Sequence, residues 1–373
     1  MIKIAHFGAY GTNIGDTVAL DNIRIQISKY VEQDIEWVPI NVIGFLECKN
    51  DRNYILTTFK ERLKGCSALF IGGGGLLEGG PFNDTYTGWK LPFNDEIFEE
   101  LKLEIPIYVI GAGINYFRSV PGFTEKGVQG LVSLINNSKT FSLRNDGSMD
   151  SAKEILPPST LDKIIEVPDP GLIYDYEYPR MTIEELNSKE KVLQPAFNGG
   201  MHIMIGRFLN NENFNKVVHM PAKMGLKILP HTPKDYMHFP LNFAEFEIAW
   251  DKKHFQQHSS IDSYLELLKY YENVGCSIAM RGHGQMIALA LNVPSIYFST
   301  QDKVLNFSKK NNLMSFNVDI NDDNWYAKLN NLVVRLTTEQ AFLDSWYNNR
   351  DILVSQYQHQ FSNLCKQIAE DLV

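Results

Sequence analysis

A chain of 373 residues exceeds what one hydrophobic core usually fills, so two domains are expected. With 44% hydrophobic, 12% aromatic and 21% charged residues and no low-complexity tract, the composition is that of a folded globule. A formal charge of −9 argues against a general nucleic-acid binder; such a chain holds an anion only by gathering arginine, histidine and helix N-termini in one pocket.

The four cysteines, Cys48, Cys66, Cys276 and Cys365, lie far apart and form no CxxC pair. That points away from a zinc site or a disulfide framework and towards a reducing compartment. Met1–Tyr10 leads straight into an apolar strand pattern, without the basic start and long apolar run of a signal peptide. No segment approaches the roughly 20 apolar residues that cross a bilayer. A cytoplasmic location is expected, with peripheral membrane contact left open.

In chain order, Ile2–Phe7 reads as a buried strand, Gly8–Asp16 as a turn, and Leu20, Ile23, Ile27 and Tyr30 as one helical face. Further strands are expected at Ala68–Ile71, running into Gly72–Gly75, and at Ile105–Ile110, ending in Gly111-Ala112-Gly113. Phe141–Arg144 and Ile165–Val167 follow, the latter before Asp169-Pro170. Apolar strands alternating with helices imply a parallel sheet covered on both faces. The polar, proline-bearing stretch from Tyr174 to Gly200 reads as a linker. A second unit then opens with a strand at His202–Ile205 and continues through Lys227–Leu229 to a helix beginning near Ser259. Strands at Ser277–Met280 and Ser295–Phe298 flank a helix at Met286–Leu291. The expected fold class is α/β, with two doubly wound, Rossmann-like domains facing across a cleft. Residues 1–180 form the N-terminal domain and 195–340 the C-terminal one; 341–373 is a helical tail that could cross back to the first.

Ligands of open parallel sheets bind beyond the carboxyl ends of the strands, and the glycine-rich segments stand there. Asn13-Ile14-Gly15-Asp16 opens the first helix, where Asn and Asp can cap it or hold a sugar hydroxyl. The run Gly72–Gly75 lets a ligand or another backbone come close; no Gly-Lys-Ser/Thr follows, so it is not a P-loop. Most pointed is Met280-Arg281-Gly282-His283-Gly284-Gln285 between a strand and a helix. A guanidinium fork, an imidazole and helix N–H groups there suit a carboxylate or phosphate. Arg207, Arg144 and Lys303 also follow strands, and His231 is a candidate proton donor. His254 and His258 have i,i+4 spacing but no third ligand, so no metal is expected.

Asn13-x-Gly15-Asp16, Gly72–Gly75 with Leu76, Ser142-x-Arg144, Asp169-Pro170, Arg281-x-His283-Gly284, Asn292-Val293-Pro294 and Lys303 occur in an order that resembles the polysaccharide pyruvyl transferase family. Asn145 follows Arg144 where that family usually has Asp, and Gly282 replaces a commonly bulkier residue. The resemblance implies a GT-B-like fold and transfer of a pyruvyl group, as a ketal, from phosphoenolpyruvate to a sugar of a cell-surface polysaccharide or its lipid- or nucleotide-linked precursor. Phosphoenolpyruvate is then the donor substrate, and no separate cofactor is implied. Arg207, Arg281 and His283, with Gly284 and Lys303, would contact phosphoenolpyruvate. His283 or His231 would be the acid beside Arg281, and Asn13, Asp16, Gly73, Gly74, Gly75 and Arg144 would face the acceptor. Two alternatives remain at this point: a GT-B glycosyltransferase using a nucleotide sugar, and a non-catalytic glycan- or anion-binding protein of the same fold. Acceptor identity and oligomeric state have no signal in the sequence.

Overall fold

The computed structural model describes residues 1–10, 13–114, 122–175, 177–196, 211–229, 231, 267–300 and 302–372. They form two compact units, one of Met1–Tyr10, Asp16–Pro170 and Tyr357–Val373, the other of Gly11–Gly15 and Gly171–Gln356.

The first unit alternates strand and helix: β1 (Ile2–Gly8), α1 (Ile14–Ser28), β2 (Ile35–Asn41), α2 (Val42–Glu47), α3 (Arg52–Arg62), β3 (Ala68–Leu77) and α4 (Asp95–Leu101). It continues with β4 (Ile107–Ile114), α5 (Glu125–Asn137), β5 (Thr140–Arg144), α6 (Ser148–Ile155), α7 (Pro158–Leu161) and β6 (Ile164–Val167). All paired strands are parallel, in the order β2-β1-β3-β4-β5-β6. Capping residues start several helices: Asn41, Asp51, Asn94 and Thr124 each accept a backbone N–H of the first turn. One face of the sheet buries an aromatic core in which Phe7 stacks on Phe59 at 5.9 Å between centroids, and Phe59 meets Phe45 and Phe93.

The glycine run is not a loop. β3 passes through Gly72–Gly75 to Leu77, and β4 likewise passes through Gly111–Gly113. A methyl group on Gly72 would overlap the carbonyl oxygen of Ile110 on the neighbouring strand. Gly73, at φ +77°, is pressed against Leu20 of α1. Both the close strand approach and the left-handed backbone require glycine.

In the second unit, α8 (Ile183–Ser188) and β7 (Glu190–Gln194) come first, followed by α9 (Asn211–Met224), β8 (Lys227–Ile228) and β9 (Val274–Ala279). Then come α10 (Gly282–Ala290), β10 (Ser295–Ser299), α11 (Asp302–Lys310), β11 (Asn317–Asp319), α12 (Trp325–Thr338) and α13 (Gln340–Leu372). Its strands are parallel in the order β11-β10-β9-β7-β8. The stretch expected as a linker therefore holds a helix and an interior strand. Thr182 and Glu185 form a full capping box for α8, while β7 carries only Val192 and Leu193 as an apolar signal. The expected strand at His202–Ile205 and the start of the helix near Ser259 lie outside the described residues. α10 begins four residues earlier than its apolar pattern suggests, because Gly282-His283-Gly284-Gln285 already has helical backbone. No helix among the described residues is long and apolar enough to cross a membrane.

On the face of β1 opposite Phe7, His6 is fully buried against Trp37 and Phe70. Its Nδ1 accepts from Arg24 Nε at 3.2 Å, and Arg24 also donates to the Tyr10 hydroxyl. Burial first, and the Arg24 cation second, hold the His6 pKa well below its ordinary value. Protonation would turn the accepting Nδ1 into a donor facing a donor. Its stabilising neutral form is thus complete above about pH 6.5 and lost as pH falls below it. Neighbouring Asp21 works in the opposite sense: burial pushes its carboxyl up to about 6 against the pull of Arg24, so acidification through that value favours the fold. His6→Gln keeps an acceptor for Arg24 without the titration. In urea unfolding at pH 7.5 and 5.0, it should lose less stability on acidification than the wild type. An equal loss in both proteins would exclude His6 from the acid response.

Candidate functional site

Both sheets reverse their strand order between neighbours, and ligands of doubly wound sheets bind at the carboxyl ends of such pairs. The reversals fall between β1 and β3 in the first unit and between β7 and β9 in the second.

At the first, the carboxylate of Asp16, in the opening turn of α1, lies where a side chain on Gly74 would stand. Gly74 itself has φ +125°, so glycine is required twice over. Arg144 ends β5, 2% exposed, with Nε 2.5 Å from Asp146 and Nη1 3.1 Å from Asp169. A methyl on Gly113 would collide with the guanidinium, so the bare strand β4 makes room for it. Burial draws the Arg144 pKa down, but Asp146, Asp169 and Asp16 together outweigh it, and the side chain stays cationic. Asn145 turns its oxygen to the Asp169 N–H at 3.3 Å, and Ser148 donates to Asp146 at 2.5 Å. Arg144 thus orders a group of acids. The acid that partners it within its own segment is Asp146, one residue beyond Asn145. Gly75 gives its carbonyl to Lys90 Nζ at 3.2 Å, and Lys90 pairs with Glu78 at 3.1 Å. Neither Lys90 nor Glu78 had a motif to mark it, because their pairing depends on the loop that follows β3.

At the second reversal, Arg281 is the N-cap residue of α10, 7% exposed, and its side chain makes no cap hydrogen bond. Its Nε instead donates to the carbonyl of Pro195, just past β7, at 2.6 Å. The first-turn N–H groups of a helix have no partner within the helix, and here they stand beside a guanidinium. His283, 8% exposed, packs its ring on Gly15, where no side chain would fit. Gly282 is open on its outer side: a methyl group there would meet only the Lys303 side chain of α11, at an ordinary contact of 3.8 Å. Gly284 has a different neighbour: any side chain there would strike the Gln194 side chain, so this glycine seats α10 on the end of β7. Gln194, absent from the sequence-based candidates, is fully buried and donates to Tyr271 at 2.8 Å and Ser277 at 2.7 Å.

His231 is fully buried, and its carbonyl accepts from Ile14 N at 3.1 Å. Burial, then the Arg281 charge, then His283, hold its pKa well below the ordinary value, so its ring is neutral at neutral pH. Asn13 accepts from Gly15 N at 3.0 Å, closing the turn into α1. The second unit therefore brings Arg281, His283, His231 and Lys303 to one helix N-terminus. Arg207, His254 and His258 lie outside the described residues. Among those described, no group of three or more histidine, cysteine or acidic side chains is arranged to hold a metal.

No curated protein matches the sequence. Among solved structures, the chain is similar to UDP-GlcNAc 2-epimerase from Neisseria meningitidis bound to UDP-GlcNAc, at 10% identity and a TM-score of 0.52, covering 95% of this chain and 99% of that one. The S. aureus MnaA–UDP structure is similar at 10% identity and a TM-score of 0.51, with 94% and 91% covered. The Methanocaldococcus jannaschii UDP-GlcNAc 2-epimerase follows at 14% identity and a TM-score of 0.50, with 95% and 100% covered. With the two parallel sheets, these likenesses make the fold GT-B-like. The family model of polysaccharide pyruvyl transferase matches residues 13–302, a span that begins at Asn13, contains the motifs through Asn292-Val293-Pro294 and stops one residue short of Lys303. The chain belongs to the polysaccharide pyruvyl transferase family.

Proposed function

We propose that the protein transfers the pyruvyl group of phosphoenolpyruvate to two hydroxyls of a sugar in a cell-surface polysaccharide or its precursor. The observation that carries this reading is the convergence of Arg281, His283, His231 and Lys303 at the N-terminus of α10. Phosphoenolpyruvate is a small anion with a carboxylate and a phosphate, and a guanidinium, an ammonium and helix N–H groups together answer both. The family resemblance implies that Arg207 contacts phosphoenolpyruvate as well.

In the chemistry, a proton adds to the methylene carbon of phosphoenolpyruvate, and a sugar hydroxyl bonds to the resulting cationic carbon. Phosphate leaves, and a second hydroxyl closes the ketal. Of the two hydroxyl protons, one replaces the proton placed on the methyl group and the other departs with phosphate. His283 is assigned as the acid, because burial disfavours in His231 the protonated imidazolium from which a proton passes to carbon. Arg281 and Lys303 balance the charge of the departing phosphate. On the acceptor side, Asp16 receives a hydroxyl hydrogen bond near Gly73, Gly74 and Gly75, while Arg144 keeps the acids in place and Asn13 shapes the turn.

Ligand-dependent melting tests the donor. Phosphoenolpyruvate at a hundred times its dissociation constant should stabilise the protein by about 2.7 kcal/mol, a shift of several degrees. No shift with phosphoenolpyruvate and a clear one with UDP-GlcNAc would identify a nucleotide-sugar enzyme instead.

Variants test the roles. Arg281→Lys retains charge but loses the fork, and should weaken phosphoenolpyruvate binding about 10- to 100-fold, the equivalent of roughly 1.5–3 kcal/mol. His283→Gln should bind phosphoenolpyruvate nearly normally while single-turnover pyruvyl transfer slows at least about a hundredfold. His231→Gln should leave that rate within about tenfold of the wild type. Should the last two results exchange places, His231 is the acid.

A further inference from the structure

The helix that presents Arg281 and His283 is held at its other end by a residue of a different element. Arg350 of α13 is 2% exposed. Its Nε donates to the carbonyl of Leu289 and its Nη2 to that of Ala290, both at 2.7 Å. These are the last two residues of α10, at the end where helix carbonyls run out of partners in the following turn. The guanidinium is fixed in turn by Asp351 at 2.9 Å and by Glu177 at 2.5 Å. The two ends of α10 are thus unlike: a buried cation closes the carbonyl end, while the N-cap side chain leaves the amide end uncapped.

The other restraints on α10 act across its axis. Gln285 donates to Ser308 of α11 at 3.0 Å, which sets rotation. Gly284 rests on Gln194, which sets distance from the sheet. Tyr178 N reaches the carbonyl of Leu291, one residue beyond the helix, at 3.1 Å. The backbone N–H of Asn292 also reaches the carbonyl of Leu289, at 3.2 Å, and Arg350 is the side chain that spans the carbonyls of both Leu289 and Ala290 along the axis. Nine residues of α-helix behave as a rod of about 13 Å, so a slip at one end is carried to the other. Movement by a fraction of an ångström at the amide end changes hydrogen-bond geometry to an anion.

We propose that Arg350 is a positioning residue for the anion site, setting from the far end of α10 where Arg281, His283 and the first-turn N–H groups stand. The proposal builds on the anion-binding reading above, but one of its tests does not depend on phosphoenolpyruvate.

The experiment compares the wild type with Arg350→Met, Arg350→Lys and a control, Arg335→Met. Arg335 packs on Phe342 at 4.1 Å and pairs with Glu339, so its loss destabilises the same unit without touching α10. Two quantities are read: the dissociation constant of phosphoenolpyruvate, and the titration midpoint of His283 by NMR with labelled histidine, assigned through His283→Gln. Arg350→Met should raise the dissociation constant about tenfold or more and displace the His283 midpoint by at least about half a pH unit. Arg350→Lys should give intermediate values, because lysine keeps the charge but loses the fork. Arg335→Met should melt earlier with both quantities unchanged.

If Arg350→Met only melts earlier, like the control, the clamp is structural and the proposal is wrong. If Arg350→Met does not fold, Arg350→Lys decides, and wild-type values in it overturn the proposal. A wild type indifferent to phosphoenolpyruvate would count against the pyruvyl-transfer reading. The His283 midpoint in the variants would then still uphold or overturn the role of Arg350.

Discussion

In each unit the chain leaves two adjacent strands towards opposite edges of the sheet, and that reversal keeps the ends of those strands uncovered. Among the described residues, the candidate site groups gather around this topological constraint. Between β1 and β3 the uncovered ends receive Asp16 and the glycine run; between β7 and β9 they receive Gln194, Arg281 and the start of α10. Glycine recurs at these places for packing as much as for exposure. Gly72 admits the backbone of β4, Gly74 admits Asp16, Gly113 admits Arg144, Gly15 admits His283 and Gly284 admits Gln194.

The two clusters are of opposite electrical character. In the first unit one arginine is shared among Asp146, Asp169 and Asp16, so acid predominates. A carboxylate in such a group serves as a hydrogen-bond acceptor for hydroxyls. In the second unit Arg281, Lys303 and a helix N-terminus stand together, with His231 held neutral by burial and by its cationic neighbours. A protein of net charge −9 thus concentrates positive potential at one strand-order reversal.

The parts of this arrangement that could be read from sequence are those where several local signals coincide. Arg281-Gly282-His283-Gly284 joins a strand to a helix and carries its chemistry in four consecutive residues. The alternation of apolar strands with helices was sufficient for the fold class. β7 was illegible because two apolar residues between polar ones cannot establish a period, although the Thr182–Glu185 capping box marked the helix before it. Gly284 stands in the sequence as an expected phosphoenolpyruvate contact, yet its neighbour is Gln194, 90 positions earlier in the chain, and no local pattern encodes that packing. Asp146, Lys90 and Arg350 carry no local signal for the same reason. Each acquires its meaning from a partner that tertiary folding supplies, and Arg350 stands in a long helix whose spacing advertises only burial.

The helix α13 has one more consequence, for the order in which the protein is made. Its later part, Tyr357–Leu372, belongs to the first unit, where Phe361, Leu364, Cys365, Ile368 and Ala369 are buried and Asp371 pairs with Lys139 at 2.8 Å. Those residues leave the ribosome only after the whole of Gly171–Gln356 has been translated. The nascent first unit must therefore carry an uncovered apolar surface throughout synthesis of the second, and the moment of greatest aggregation risk precedes the arrival of that helix.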